Sequence, residues 1–210
     1  MTSDELRQAL RLIVITDRRL AAPRSVESVV QEAITAGARV IQLRDKQAGP
    51  HELLSRARRL VAITRPAGAL LLVNDRVDVA LSAGADGVHI GPRDLPLRTV
   101  CAAVPDGFLV GYSTDDPEDA RKAEGAGAAY IGCGAVFGTR TKDVGDEAIG
   151  LARLDAVARA VSIPVIGIGG VTPEGAEQIA ETAASGVAVV GAVMGARDVG
   201  GMVVRLMGCW

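Results

Sequence analysis

Ala38-Arg39-Val40-Ile41-Gln42-Leu43-Arg44-Asp45-Lys46 passes from apolar to charged within a few residues. An extended chain alternates its side chains between two faces, so Gln42 and Arg44 share one face while Ile41 and Leu43 share the other. The segment reads as a buried strand whose far end opens onto a polar, cationic rim. The same transition recurs along the chain. Leu70-Leu71-Leu72-Val73 runs into Asn74-Asp75, Gly87-Val88-His89-Ile90 is followed by Asp94, and Phe108-Leu109-Val110 leads to Ser113.

Working outward from these points, short apolar runs alternate with longer amphipathic ones from end to end. Strands are expected near 11–16, 39–43, 70–73, 86–90, 108–112, 129–133, 164–168 and 186–190. Helices are expected near 25–36, 50–64, 75–83, 97–103, 116–125, 150–161, 173–183 and 195–207. Strand-then-helix units imply parallel strands joined by crossover helices, and eight of them can close into a (β/α)8 TIM barrel of the α/β class. No Pro/Gly/Ser-rich linker divides residues 1–210, so one domain is expected. Helix boundaries agree with this register. Ser25, Asp116-Pro117 and Thr172-Pro173 supply N-caps and first-turn prolines, while Gly37, Gly84 and Gly127 fall where helices should stop. The one long connection, Gly134 to Gly150, follows the sixth strand at the rim and is expected to act as a lid.

Composition narrows the function. With 49% hydrophobic residues among 210, the chain can bury a substantial core. A net charge of −2 supplies no global basic field, and aromatics are only 2%, so a nucleic-acid reader is excluded. No run is long enough to span a bilayer, and the N-terminus lacks the pattern of a signal peptide. Cys101, Cys133 and Cys209 show neither disulfide nor zinc spacing, which fits a reducing cytoplasm. Lysine is scarce, with Lys46, Lys122 and Lys142 set against 20 arginines. Lys46 and Lys142 follow strand ends, where a compact flexible ammonium suits a phosphate or a reacting group.

Several rim groups could do chemistry. Asp75 alone could cap the third helix. Paired with Asp94 at the next strand end, and beside Arg44 and Lys46, it could instead share one Mg²⁺. Thr139-Arg140-Thr141-Lys142 combines two hydroxyls and two cations, a set able to wrap an anion, although it is not a P-loop. Glycines at Ile166-Gly167-Ile168-Gly169-Gly170 and Val189-Val190-Gly191-Ala192 end the last two strands, where barrels often bind phosphate through backbone N–H groups. His89 reads as a hydrogen-bonded core histidine, His51 as solvent-facing and Cys133 as a small core residue. A nucleophilic triad has no support.

With these residues in place, the chain resembles the thiamine-phosphate synthase family. The resemblance runs through Val14-Ile15-Thr16-Asp17, Gln42 to Lys46, Asn74-Asp75, Ala85 to Gly91, Asp94, Thr139 to Lys142 and Ile166 to Gly170. It implies a (β/α)8 enzyme that joins an aminopyrimidine-methyl group, carried as its diphosphate, to thiazole phosphate. The products are thiamine phosphate and diphosphate. It also implies that Gln42, Leu43, Arg44, Asp45, Lys46 and Asn74 hold the aminopyrimidine diphosphate and that Asp75 and Asp94 bind Mg²⁺. Ser113 and Lys142 would contact the diphosphate, so that Arg44, Lys46, Ser113 and Lys142 act on the leaving group. Thr139, Arg140, Thr141, Gly170 and the Val190-Gly191 turn would hold the thiazole phosphate. The implied partners are small molecules, with no nucleic acid and no membrane, and homo-oligomer formation is left open.

Three positions depart from the family pattern. Asp115 stands where many relatives carry histidine, Gly138 replaces a common proline, and Gly191 replaces a serine. Three alternatives are a thiazole tautomerase of the same fold, a phosphate-sugar isomerase or epimerase on the same barrel, and a noncatalytic protein that binds thiamine intermediates. The tautomerase would use a histidine where Asp115 stands, and the retained Asp75, Asp94 and Lys142 argue against it; the sugar-phosphate enzyme would not need the diphosphate set. Turnover separates an enzyme from the binding protein.

Overall fold

The structure, a computed structural model, describes residues 1–138 and 148–210. Its strands are β1 (Leu12–Ile15), β2 (Val40–Leu43), β3 (Leu70–Asn74), β4 (Gly87–Ile90), β5 (Leu109–Ser113), β6 (Tyr130–Cys133), β7 (Val165–Ile168) and β8 (Gly186–Val189). All pairings are parallel and in sequence order, and β8 returns to β1 to close a barrel. The surrounding helices are α1 (Ser3–Ala9), α2 (Arg18–Ala21), α3 (Val26–Thr35), α4 (Pro50–Thr64), α5 (Val77–Ala83), α6 (Leu97–Ala103), α7 (Pro117–Gly125), α8 (Gly150–Ala160), α9 (Pro173–Ala180), α10 (Gly191–Met194) and α11 (Val199–Met207). This is the expected (β/α)8 barrel.

Strand alternation divides the core into two layers. Ile13, Val40, Leu72, Leu109, Tyr130 and Ile166 pack together inside the barrel, while Val14, Ile41, Leu71, Val88 and Ile131 meet the helices. Leu6 and Ala9 of α1 pack against the inner layer and close the N-terminal end of the barrel. Gly186 permits that closure, because a Cβ there would stand 2.2 Å from the Leu10 carbonyl oxygen. Arg7 fastens the plug by donating to the Ser185 hydroxyl and, at 2.7 Å, to the Ser162 carbonyl.

The boundary residues act as expected at three helices. Ser25 accepts from the Ser28 N–H at 3.0 Å, Asp116 from Glu118 at 2.8 Å, and Thr172 from Gly175 at 3.2 Å. Other boundaries differ from the sequence reading. The N-terminal stretch forms a helix of its own, held by a reciprocal capping box between Thr2 and Glu5. The final helix, expected over 195–207, starts later, at Val199, because Asp198 caps it by accepting from the Gly201 N–H at 2.8 Å. The third barrel helix starts at Val77 rather than at 75, since Asp75 lies in the left-handed region with φ 64°. The short α2 and α10, both on the rim side of the barrel, were also not anticipated.

The connection from Gly134 to Gly150 is tied down at both ends. The N–H groups of Val136 and Phe137 donate to the Ile168 and Gly169 carbonyls, and those of Ile149 and Gly150 to Ala135 and Val136, at 2.8–3.1 Å. The central part of the expected lid, 139–147, lies outside the described residues.

Candidate active site

The C-terminal ends of the strands converge on a rim that carries most of the singled-out residues. A chain of polar side chains rises to it through the barrel interior. Gln42, 3% exposed in β2, faces Tyr130 from across the barrel. The Tyr130 hydroxyl lies 2.8 Å from His89 Nδ1, and His89 Nε2 lies 2.8 Å from Ser113 Oγ. Burial drives the Tyr130 phenol well above its ordinary range, opposed by Gln42, so the phenol keeps its proton. The imidazole thus bridges the buried phenol and the rim serine, and which ring nitrogen donates follows from the tautomer.

Glycines make room for this chain. A Cβ at Gly111 would stand 2.2 Å from Tyr130 Cζ, and one at Gly132 would stand 3.0 Å from His89 Cε1. In the strand register, His89 lies opposite Gly111 and Ser113 opposite Gly132.

A second group gathers at the ends of β2, β3 and β4. Lys46 Nζ lies 3.7 Å from Asp75 Oδ2, and the Asp94 carboxylate is close enough to Asp75 for the two charges to interact. The Asp75 carboxyl is raised, first by burial and then by the Asp94 charge, with Lys46 and Arg44 pulling the other way. Asp94 Oδ2 also accepts the Gly91 N–H at 2.7 Å. The helix-cap reading of Asp75 fails, because α5 takes Arg76 as its N-cap and has no side-chain cap. A non-glycine residue at positive φ that faces another carboxylate is strained in its backbone and electrostatically unfavourable. This arrangement suits a hard cation. Among the described residues no group of three or more acidic, histidine or cysteine side chains forms a metal cluster. Two carboxylates fit Mg²⁺, whose remaining ligands usually come from water and substrate phosphates. Asn74 joins this side of the rim, paired in register with His89.

Two expected substrate-binding side chains point elsewhere. Leu43 is buried in the layer between sheet and helices, so only its backbone can meet a ligand from the barrel mouth. The Asp45 carboxylate faces α4, where it pairs with Arg56 and accepts the Gln47 and Ala48 N–H groups. Its position between two cations in sequence disguised this structural role.

Gly170, Val190 and Gly191 lie at the neighbouring ends of β7 and β8, as expected for a phosphate turn. Gly170 has φ 66°, and a Cβ there would stand 2.5 Å from the Gly138 carbonyl oxygen. The glycine therefore serves a close backbone approach as well as any ligand. Thr139, Arg140, Thr141 and Lys142 lie outside the described residues. Asp115 is exposed, and its carbonyl accepts from Arg153 Nε at 2.6 Å. Cys133 is a core thiol, pushed up to about 12 chiefly by burial. His51 is exposed on α4.

Sequence reasoning missed Tyr130, Thr16 and Arg56. Thr16, 2% exposed, accepts the Arg44 N–H at 3.0 Å. The available signal for Tyr130 was a tyrosine at an inward strand position in a chain with only two tyrosines.

Fold and rim together define a (β/α)8 barrel of the class that handles phosphorylated small molecules at the C-terminal ends of its strands. The chain belongs to the thiamine monophosphate synthase family, whose model matches residues 12–193. It is 44% identical over 193 residues to a thiamine-phosphate synthase of Natronomonas pharaonis, covering 91% of this chain and 90% of that one. The structure of a thiamine phosphate pyrophosphorylase from Pyrococcus furiosus superposes with a TM-score of 0.88 at 40% identity, covering 97% of this chain and 96% of that one. A 4-hydroxy-2-oxoglutarate aldolase/2-deydro-3-deoxyphosphogluconate aldolase structure shares the fold alone, with 16% identity and a TM-score of 0.72 over 100% of this chain and 98% of that one. Among the described residues no helix is long and apolar enough to cross a membrane.

Proposed function

We propose that this rim catalyses the thiamine-phosphate synthase reaction as a Mg²⁺-dependent transferase, in the cytoplasm. The bond from the pyrimidine methylene carbon to the diphosphate oxygen breaks, and the diphosphate leaves with the electron pair. The thiazole nitrogen then gives its lone pair to that carbon, which yields thiamine phosphate and free diphosphate.

Each part of the rim has a role in this reading. Gln42 and Asn74 orient the aminopyrimidine ring. Arg44 and Lys46 hold the diphosphate, and Ser113, held by His89, donates to it. Asp75 and Asp94 would hold Mg²⁺, which supplies positive charge to the leaving diphosphate. Lys142, with Thr139, Arg140 and Thr141, is assigned to the phosphate groups on the sequence resemblance. Gly170, Val190 and Gly191 offer backbone N–H groups to the thiazole phosphate. Fixed donors aimed at developing negative charge stabilise the transition state without reorganisation, and exclusion of water protects the cationic carbon.

The observation that carries the reading is the meeting of the Asp75–Asp94 pair with Lys46 on the same rim as a hydroxyl held by His89. Asp115, exposed where a tautomerase would need its histidine, gives no support to the isomerase alternative. Replacing Ser113 with alanine tests the assignment, with single-turnover diphosphate release expected to slow while both substrates still bind. Unchanged release would remove Ser113 from the reaction.

A further inference from the structure

We infer that Arg56, which lies on α4 behind the rim, is a positioning residue for Arg44 and Lys46 and acts through Asp45. The inference rests on the reading above, in which those two cations hold the diphosphate.

The turn after β2 is tied at two points. On one side the Arg44 N–H donates to Thr16 Oγ1 at 3.0 Å, anchoring the turn to the end of β1. On the other, one Asp45 oxygen accepts the Gln47 and Ala48 N–H groups at 3.0 and 3.1 Å, and the second is bonded by the Arg56 guanidinium. Arg56 also bonds Glu52, one helical turn earlier. The Asp45 and Arg56 side chains are 13% and 15% exposed, so this pair is largely removed from water. Arg44 and Lys46 lie between the two ties, and Lys46 is additionally 3.7 Å from Asp75.

A desolvated carboxylate that loses its partner seeks another cation, because the unpaired charge is costly to leave buried. Arg44 and Lys46 are its neighbours in the chain. Without Arg56, Asp45 competes with the diphosphate for these two residues. Arg56 thus does two things: it sets the direction of the turn, and it neutralises the anion that lies between the two binding cations in the chain. Neutralising Asp45 should then relieve the loss of Arg56, since an asparagine oxygen still accepts the Gln47 and Ala48 N–H groups but holds no charge.

The test uses the full chain, Mg²⁺ and inorganic pyrophosphate as the calorimetric probe, together with KM values for both substrates. Arg56→Met is expected to weaken pyrophosphate binding and raise KM for the aminopyrimidine diphosphate about tenfold, less than the roughly hundredfold that a full 1 Å misplacement can cost. KM for thiazole phosphate should not change. Arg56→Lys should lose less, and the Asp45→Asn/Arg56→Met double variant should recover most of the lost affinity. Unchanged pyrophosphate affinity in Arg56→Met, an equal rise in both KM values, or a double variant no better than the single one would overturn the inference. If Arg56→Met does not fold, the comparison passes to Arg56→Lys, where an unchanged ratio of the two KM values overturns it. Arg44→Ala and Lys46→Ala are the controls. Wild-type pyrophosphate affinity in both would sink the diphosphate assignment and this inference with it, whereas loss there with Arg56→Met silent sinks the positioning role alone.

Discussion

His89 touches Ser113 and Tyr130 at the same distance, 2.8 Å from Nε2 to Oγ and 2.8 Å from Nδ1 to the phenolic oxygen. One imidazole therefore joins a hydroxyl at the rim to a fully buried one inside the barrel. Replacing Tyr130 with phenylalanine removes the hydroxyl that bonds His89 Nδ1 and strands that buried nitrogen. Stability should fall by about 1–3 kcal/mol, the cost of leaving a buried polar group unsatisfied. Diphosphate release should slow as well, because the His89 ring that holds Ser113 loses its second anchor. Urea unfolding and single-turnover kinetics read the two effects separately, and a variant that loses stability but not rate would reduce Tyr130 to a packing role.

Asp75 makes a prediction about pH. Its carboxyl is raised in the folded protein by burial and by Asp94, so the folded state binds this proton more tightly than the unfolded chain does. The associated stability is present below the ordinary carboxylate value and is lost as pH rises through the raised one. Metal-free protein should therefore lose stability across that window. Asp75→Asn should be flatter there and more stable at neutral pH, since asparagine carries no charge and tolerates positive φ. A wild-type-like pH dependence in the variant would contradict the raised value.

The same carboxylates predict a kinetic loss. Asp75→Ala and Asp94→Ala should each cut coupling roughly a hundredfold or more, the effect of losing a few kcal/mol of transition-state stabilisation. Chelation of the metal should do the same to the unaltered protein, with recovery on adding Mg²⁺. Full activity in the presence of excess chelator would remove the metal from the account.

Gly170→Ala tests the other half of the rim. A Cβ there would meet the Gly138 carbonyl oxygen at 2.5 Å and would sit at φ 66°; the left-handed region alone costs a non-glycine residue about 1–2 kcal/mol. KM for thiazole phosphate should rise, while pyrophosphate binding with Mg²⁺ stays as it is. A matching loss in pyrophosphate binding would show that the two halves are not separable.

The barrel was readable because each strand states its own ends. Val40-Ile41-Gln42-Leu43 alternates inner and outer faces, and Arg44 marks the rim. Long-range use of side chains was not readable. Asp45 looked like its cationic neighbours until Arg56, 11 positions on, brought α4 against it. Tyr130 and His89 are 41 residues apart and meet only when the barrel closes. Asp75 could be a cap or a ligand by sequence, and its positive φ decided against the cap. The late start of the last helix turned on Asp198 capping it through the Gly201 N–H, a local choice that the apolar run around it masked.

The most direct test of the central claim is to incubate the folded protein with aminopyrimidine-methyl diphosphate, thiazole phosphate and Mg²⁺, and to follow both products by mass spectrometry. The account predicts thiamine phosphate and diphosphate in equal amounts, with formation dependent on the metal and on Asp75 and Asp94. Absence of thiamine phosphate from protein shown to be folded, with both substrates and the metal at saturation, would contradict it.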